Sequence, residues 1–361
     1  MYGGTVGRRA GRALRSQPHD PSCPPGSLAN LGIELTTRCN SDCVHCFARV
    51  GAASENALTP DLARTLCREG YNAGFRQLHF TGGEPLLWSG LFDLLEMVCE
   101  LGYDSVFLNT NGLLVTEAVA SRLAQFPGLG ISVSLQGPAP LHDAMRGRGA
   151  YDKAAEGILR ALEAGLAVTI FAALGQTLLM RLPAYAAELN ATFAGIERLT
   201  LIQLFRPEKG RCDFSDELLG PEDFLRMVRT VSALNLCGFT THVLNDPLVN
   251  VVAGMLRLPL VPRSHPLVRP GKLMVRANLD ITLAHSTPEI IGQYRPGMIT
   301  KTLTCDCYCN AVAQDDTTCP MCPYIDQCRK HGKLHPSPSV MDMQPEVPYC
   351  QRVLAGIEQP V

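Results

Sequence analysis

From residue 31 to about residue 239, short β-rich runs alternate with longer stretches of helical periodicity, and no other feature of the chain limits its fold so strongly. The runs predict strands at 32–36, 76–80, 105–109, 130–135, 167–173 and 199–205. The first intervening helix starts at Thr59-Pro60-Asp61, with an N-cap hydroxyl, a proline at the first helical position and an acid in the first turn, and it stops at Gly74. The last one opens at Pro221, Glu222 and Asp223, repeats Phe224, Val228, Val231 and Leu234 along one face, and is closed by Gly238. Strand and helix in strict alternation predict parallel strands joined by right-handed crossovers. Six such units give an α/β fold, a partial (β/α)6 TIM-like barrel, with its active site at the C-terminal ends of the strands.

Beyond about residue 240 the rhythm fails. Prolines crowd the stretch 247–270, and after Thr304 the chain becomes polar, loop-like and rich in cysteine. The expected organisation is a basic, proline-rich N-terminal tail (1–30), the barrel (31–240), a bridging region (241–304) and a cysteine-rich C-terminal module (305–361) held by metal more than by a core. With 46% hydrophobic and 18% charged residues the chain is not disordered, and a formal charge of −2 supplies no field for nucleic acid. Arg8, Arg9, Arg12 and Arg15 are followed by prolines instead of an apolar run, so a secretory signal is not expected. The longest uncharged stretch, 164–180, is too short to cross a membrane and is broken by Gly175 and Gln176. Fifteen cysteines bunch at C-x3-C-x2-C and C-x2-C spacings, which suits metal thiolates in a reducing cytoplasm better than disulfides.

Cys39, Cys43 and Cys46 lie in the loop after the first predicted strand, where barrel loops converge. Closely spaced thiolates can wrap one iron-sulfur cube, and three of them leave one iron open, as a catalytic metal site requires. A zinc loop or buried structural cysteines remain alternatives on spacing alone. Thr81-Gly82-Gly83-Glu84-Pro85 follows the second strand, and its two glycines let backbone approach a ligand. Asn109-Thr110-Asn111-Gly112 ends the third strand as a turn. At the fourth, alternation places Ser132, Ser134 and Gln136 on one face, toward the barrel interior. His142-Asp143-Ala144-Met145-Arg146-Gly147 follows, with an arginine whose paired donors suit a carboxylate.

These motifs together resemble the radical S-adenosylmethionine (SAM) superfamily, over about residues 31–239. The resemblance implies a catalytic 4Fe-4S cluster on Cys39, Cys43 and Cys46, whose open iron chelates SAM. It also implies reductive cleavage of SAM to a 5'-deoxyadenosyl radical that takes hydrogen from the substrate. It implies cofactor contacts for Gly82, Gly83 and Glu84 of the GGEP motif, for Asn111, Ser132 and Ser134, and for Arg146, which reaches the methionine carboxylate. Arg206-Pro207-Glu208-Lys209-Gly210 resembles the family's late adenine-side loop, while Gln136 stands where many relatives have Asp.

In the tail, Cys319, Cys322 and Cys328 form C-x2-C-x5-C, and Cys350 follows at a distance. Four thiolates complete a closed 4Fe-4S cluster of the electron-transfer type, and four-thiolate zinc is the competing reading. The tail resembles the SPASM extension of radical SAM enzymes, which implies an auxiliary cluster on these four residues. Gly332 and the stretch 276–285 stand where that pattern has further cysteines, so a second auxiliary cluster is not expected unless Cys305, Cys307 and Cys309 rebuild it. Cys67 and Cys99 read as core; Cys23, Cys212 and Cys237 have no assigned role.

The resemblance implies hydrogen abstraction from a peptide or protein side chain, as in maturase-type modification. The alternatives are a small-molecule enzyme of haem, tetrapyrrole or other cofactor synthesis, and a non-catalytic iron-sulfur or zinc protein. A flavodoxin or ferredoxin is the expected electron donor, with neither nucleic acid nor membrane as partner. His142, Asp143, Glu208 and His285 are the candidate acids and bases, and no pattern selects among them.

Overall fold

The computed structural model describes residues 28, 30–46, 55–204, 214–287, 289–313, 319–331 and 349–358. Most of the N-terminal tail, the loop 206–210 with Glu208, and Cys23 and Cys212 lie outside the described residues.

The strands are β1 (Asn30–Glu34), β2 (Gln77–Thr81), β3 (Ser105–Thr110), β4 (Leu129–Ser134), β5 (Ala167–Leu174), β6 (Arg198–Gln203), β7 (Thr241–Val243), β8 (Lys272–Val275), β9 (Asp280–Thr282) and β10 (Gly292–Gln293). The helices of the barrel are α1 (Pro60–Ala73), α2 (Leu91–Leu101), α3 (Glu117–Leu123), α4 (Ala139–Arg146), α5 (Ala150–Glu163), α6 (Gln176–Thr192) and α7 (Pro221–Leu236). After them come α8 (Leu248–Met255), α9 (Ile299–Thr304), α10 (Asp306–Ala313), α11 (Ile325–His331) and α12 (Tyr349–Glu358). Local chemistry sets the ends: the Thr59 side chain accepts the Leu62 N–H at 3.3 Å, and α1 stops where Gly74 turns left-handed at φ 107°.

All described strands form one sheet in the order β10-β9-β8-β1-β2-β3-β4-β5-β6-β7. Every pair from β8 through β1 to β7 is parallel, and β9 and β10 add antiparallel pairs at one edge. β7 and β8 stand apart in this order, so the arc of parallel strands stays open. The six expected strands are all present, shifted by a residue or two. β7 and β8, of three and four residues, are too short to show a period. The stretch 241–304, expected as a bridge, thus supplies β7 to β10 to the same sheet.

The helix-facing side of the sheet is aliphatic and closed: Leu31, Ile33, Leu78, Leu108, Ile131, Val133, Val168 and Ile170 are all buried. A packed barrel also fills its inside with bulky branched residues. Here the inward positions include Gly32, His79, Asn109, Ser132, Ser134, Thr169 and Thr200, and they leave a cavity of about 360 Å³.

The described helices of the tail pack on the barrel. α12 packs on α7 and α8, and α11 packs on α8. Val353 and Leu354 are buried, Tyr349 meets Phe224 edge to face at 6.0 Å, and the Tyr349 hydroxyl donates to the Leu219 carbonyl at 2.9 Å. The C-terminal helix therefore joins an apolar core, because its hydrophobic side has a helical partner in the barrel.

Candidate active site

The loop after β1 carries Cys39, Cys43 and Cys46 to the rim of the cavity, and all three line it. Backbone bonds fix this loop: the Val44 N–H donates to the Met145 carbonyl at 3.0 Å, and the Thr37 N–H to the Asn56 carbonyl at 2.8 Å. The turn after β2 clamps the loop from the other side, with Gly83 N–H donating to Thr36 O and Glu84 N–H to Arg38 O, both at 2.7 Å. A Cβ at Gly82, where φ is 153°, would lie 2.3 Å from Thr36 O, and one at Gly83 would lie 2.1 Å from Arg38 O. Both glycines line the cavity, yet what a side chain would strike first is the backbone of the cysteine loop.

Glu84 requires a correction, because its carboxylate does not reach the cavity. It is fully buried and accepts from the Thr110 hydroxyl and the Asn111 N–H, each at 2.8 Å, and from the Leu86 N–H at 3.2 Å. Burial pushes the carboxyl above its ordinary range while these donors pull it down. Glu84 thus acts through Asn111. The Asn111 amide donates to Asn40 Oδ1 at 2.7 Å and to Ser41 Oγ at 3.3 Å, tying the end of β3 to the cysteine loop.

Ser132, Ser134 and Gln136 all line the cavity, as alternation along β4 requires. Gln136 is engaged, since its Oε1 accepts the Ala173 N–H at 2.6 Å. Arg146, the last residue of α4, also lines the cavity, and its buried Nε has no hydrogen-bond partner there. Burial raises the Cys43 thiol, and the Arg146 charge is the first influence that lowers it.

Of the four candidate acids and bases, Glu208 lies outside the described residues and two are structural. His142 is fully buried and its Nδ1 accepts the Gln136 N–H at 3.0 Å; burial and Arg146 lower its pKa to about 3, so the ring is neutral. Asp143 accepts the Gly149 and Tyr151 N–H groups at 2.7 and 2.8 Å, closing the turn into α5. Only His285 lines the cavity, with Nε2 at 3.0 Å from Glu34 Oε1, and Ala277 N–H donates to the other Glu34 oxygen at 3.0 Å.

In the tail, Cys319 and Cys322 lie at a short 3-10 turn, Cys328 on α11 and Cys350 on α12. Burial pushes the Cys328 thiol up to about 12, and the nearby Cys322 and Cys350 push it in the same direction, so these thiols are neighbours in space. Cys305, Cys307 and Cys309 behave differently. Cys305 Sγ donates to the Thr302 carbonyl at 3.1 Å, while Cys307 and Cys309 are exposed on α10. At 100° per residue Cys307 and Cys309 point to different sides of α10, and Cys305 lies just before it. Cys67 is buried in α1, Cys99 half-buried in α2, and Cys237 exposed.

The donor set at the barrel rim is of the kind that holds an iron-sulfur group. At the barrel rim, three thiols face a cavity that also offers an unpartnered guanidinium nitrogen for a carboxylate. Among the described residues, no three His, Cys, Asp or Glu side chains are grouped for a single metal ion. No helix among them is long and apolar enough to cross a membrane. Sequence reasoning missed the polar residues deeper in the cavity, among them Arg198, His242, Arg269 and Lys272. The period-two pattern Arg198-x-Thr200-x-Ile202 is the one signal for them, and it becomes readable only once β6 is known to start at Arg198.

Residues 33–179 match the sequence model of the Radical SAM superfamily. The chain is 31% identical over 141 residues to a probable GTP 3',8-cyclase of Sulfurisphaera tokodaii, covering 39% of this chain and 45% of that protein. It is 33% identical over 136 residues to Fe-coproporphyrin III synthase of Methanosarcina barkeri, covering 37% and 34%. It is 32% identical over 134 residues to mycofactocin maturase MftC of Mycolicibacterium smegmatis, covering 37% and 33%. The aligned part thus spans less than half the length of each of these relatives. Among solved structures, anSMEcpe with bound AdoMet superposes at a TM-score of 0.70 and 15% identity, covering 90% of this chain and 91% of that one. Streptococcus suis SuiB bound to its precursor peptide SuiA superposes at 0.66 and 14%, covering 84% and 71%. These likenesses are of fold, and they cover more of the chain than the matched residues do.

Proposed function

We propose that this chain is a radical SAM enzyme with a SPASM-type auxiliary cluster that abstracts hydrogen from a peptide or protein side chain. The observation that carries this reading is the convergence of Cys39, Cys43 and Cys46, the Gly82-Gly83 turn and the unpartnered Arg146 nitrogen on one cavity. Cys39, Cys43 and Cys46 would hold a 4Fe-4S cluster and leave one iron for SAM. When bound, the two cofactors supply the electron and the 5'-deoxyadenosyl radical. The protein's own residues position them. Arg146 presents its guanidinium to the methionine carboxylate. Gly82, Gly83, Asn111, Ser132 and Ser134 offer backbone and short polar groups around the remainder of SAM, and Glu84 keeps the Asn111 turn in place. The closed aliphatic layer behind the strands keeps bulk water away from the helix side of the cavity.

Cys319, Cys322, Cys328 and Cys350 would hold a closed 4Fe-4S cluster for electron transfer, with a flavodoxin or ferredoxin as donor in a reducing cytoplasm. The peptide substrate is supported by the likeness in fold to proteins crystallised with peptides, SuiB with SuiA and anSMEcpe with the Kp18Cys peptide. The division of the chain into barrel, bridge and cysteine-rich module is kept as part of the proposal. A second reading, a small-molecule enzyme of tetrapyrrole or other cofactor synthesis, is favoured by the polar lining that continues past the cofactor residues to Arg198 and Lys272. Anaerobic reconstitution with candidate substrates encoded nearby, followed by mass measurement of each, decides between them. Formation of 5'-deoxyadenosine with no candidate altered, or no SAM cleavage at all, would count against the peptide reading and the enzyme reading respectively.

A further inference from the structure

The cavity has a second polar end. The cysteine loop follows the C-terminal end of β1, whereas Arg198 and Lys272 are the first residues of β6 and β8, at the opposite end of the parallel strands, and both line the same cavity. The segment leading into β8 crosses the seam left open between β7 and β8. His242 Nε2 of β7 lies 3.2 Å from the Arg263 carbonyl, and Lys272 Nζ donates to the Leu267 carbonyl at 3.0 Å. This segment adds Arg269 to the lining.

Neighbouring members of this set act on one another in two pairs, Arg269 on Lys272 and Arg198 on His242. Burial and the Arg269 charge press Lys272 toward its neutral form, to about 7, and after burial the Arg198 charge is among the influences that lower His242. Arg146 belongs to a separate set, since it ends α4 directly after Met145, whose carbonyl accepts from the cysteine loop at Val44 N–H, 3.0 Å away. Among the described residues that line the cavity, none is Asp or Glu. Holding like charges close together in a half-buried cavity costs free energy that a bound counter-anion offsets.

We propose that this end of the barrel is an anion subsite, in which Lys272, Arg269 and Arg198 hold a carboxylate or phosphate of the substrate while the bond to be attacked lies toward the cysteine loop. The proposal rests on the reading of the chain as a radical SAM enzyme and narrows its substrate to one whose acid group is well separated from the reacting carbon. The side chains suit the task, because two arginine forks and an ammonium offer an oxyanion only donors and include no acceptor.

The test uses the full chain reconstituted with its clusters, titrated at constant ionic strength with inorganic phosphate and separately with succinate, against sodium chloride as reference. At about tenfold above its dissociation constant, the matching anion should raise the thermal midpoint by about 2–4 °C more than chloride does. Lys272→Met and Arg198→Gln should each remove at least half of that rise, and Lys272→Arg should keep it. A rise with phosphate alone assigns a phosphoryl group, and one with succinate alone assigns a carboxylate. No rise above chloride in the wild type overturns the subsite, and so does an undiminished rise in both charge-removing variants. Should Lys272→Met fail to fold, Arg198→Gln set against Lys272→Arg carries the comparison. SAM binding by the wild type is measured in parallel. SAM binding without an anion response sinks the subsite alone, whereas an anion response without SAM binding sinks the enzyme reading alone.

Discussion

A Cβ at Gly83 would lie 2.1 Å from the Arg38 carbonyl, closer than any real Cβ contact, and backbone on both sides leaves little room to yield. From the sequence, Gly83→Val is expected to weaken SAM binding and to spare the iron. The structure changes that expectation, because the branched side chain displaces the cysteine loop itself. Gly83→Val should lose iron and SAM affinity together, as iron analysis and SAM titration of the purified variant will read; a variant with full iron that fails only to bind SAM would return the glycine to the ligand. Cys46→Ala should abolish 5'-deoxyadenosine formation, since two thiolates cannot keep a cube with one open iron; undiminished cleavage would remove the cysteine loop from the site. Lys272 carries a pH signature. Its folded pKa of about 7 lies below the ordinary lysine value, so between that pH and about 10 the unfolded chain binds more protons and stability rises with pH. Without added anion, Lys272→Met should lack this rise, which for one proton has a slope of at most about 1.4 kcal/mol per pH unit. Equal slopes in urea unfolding of the two proteins would show that Lys272 is not held in a charge-hostile place.

At the scale of elements, the tail separates two sets of cysteines by where the helices carry them. α11 and α12 dock on α8 and α7, which brings Cys328 beside Cys322 and Cys350. α10 turns Cys307 and Cys309 to different sides and leaves both in solvent, while Cys305 sits before it at the end of α9. Replacing those three by serine should therefore leave the iron count and the cube spectrum intact. Cys322→Ser should remove about four irons and spare SAM cleavage while suppressing product. Loss of iron in the triple variant would show that α10 rebuilds a further cluster site. The same docking gives the tail a stability of its own: the apolar contacts of Val353, Leu354 and Tyr349 do not depend on iron.

For the whole molecule, one cube at the barrel rim and one in the tail predict about eight irons per chain; about twelve by elemental analysis would place a third cluster in it. The open seam between β7 and β8 matters at this scale too. A closed eight-stranded barrel packs its interior, whereas this arc keeps small polar residues inside and leaves a cavity of about 360 Å³.

The sequence by itself determined the alternation of strands and helices, the ends of α1, the inward face of β4 and the grouping of cysteines. Each of these depends on neighbours along the chain: a period of two or 3.6, a capping residue, a short spacing of ligands. It did not reveal that Glu84 and Asp143 spend their carboxylates on backbone N–H groups, because those donors lie on other elements or past a turn. Nor did it reveal β7 and β8, whose few residues become strands only because β6 and β1 offer them open edges. The gathering of Arg198, Arg269 and Lys272 was decided by tertiary structure alone. Residues more than seventy apart in the chain share one cavity only after parallel pairing has set the first residues of β6 and β8 at the same end of the barrel.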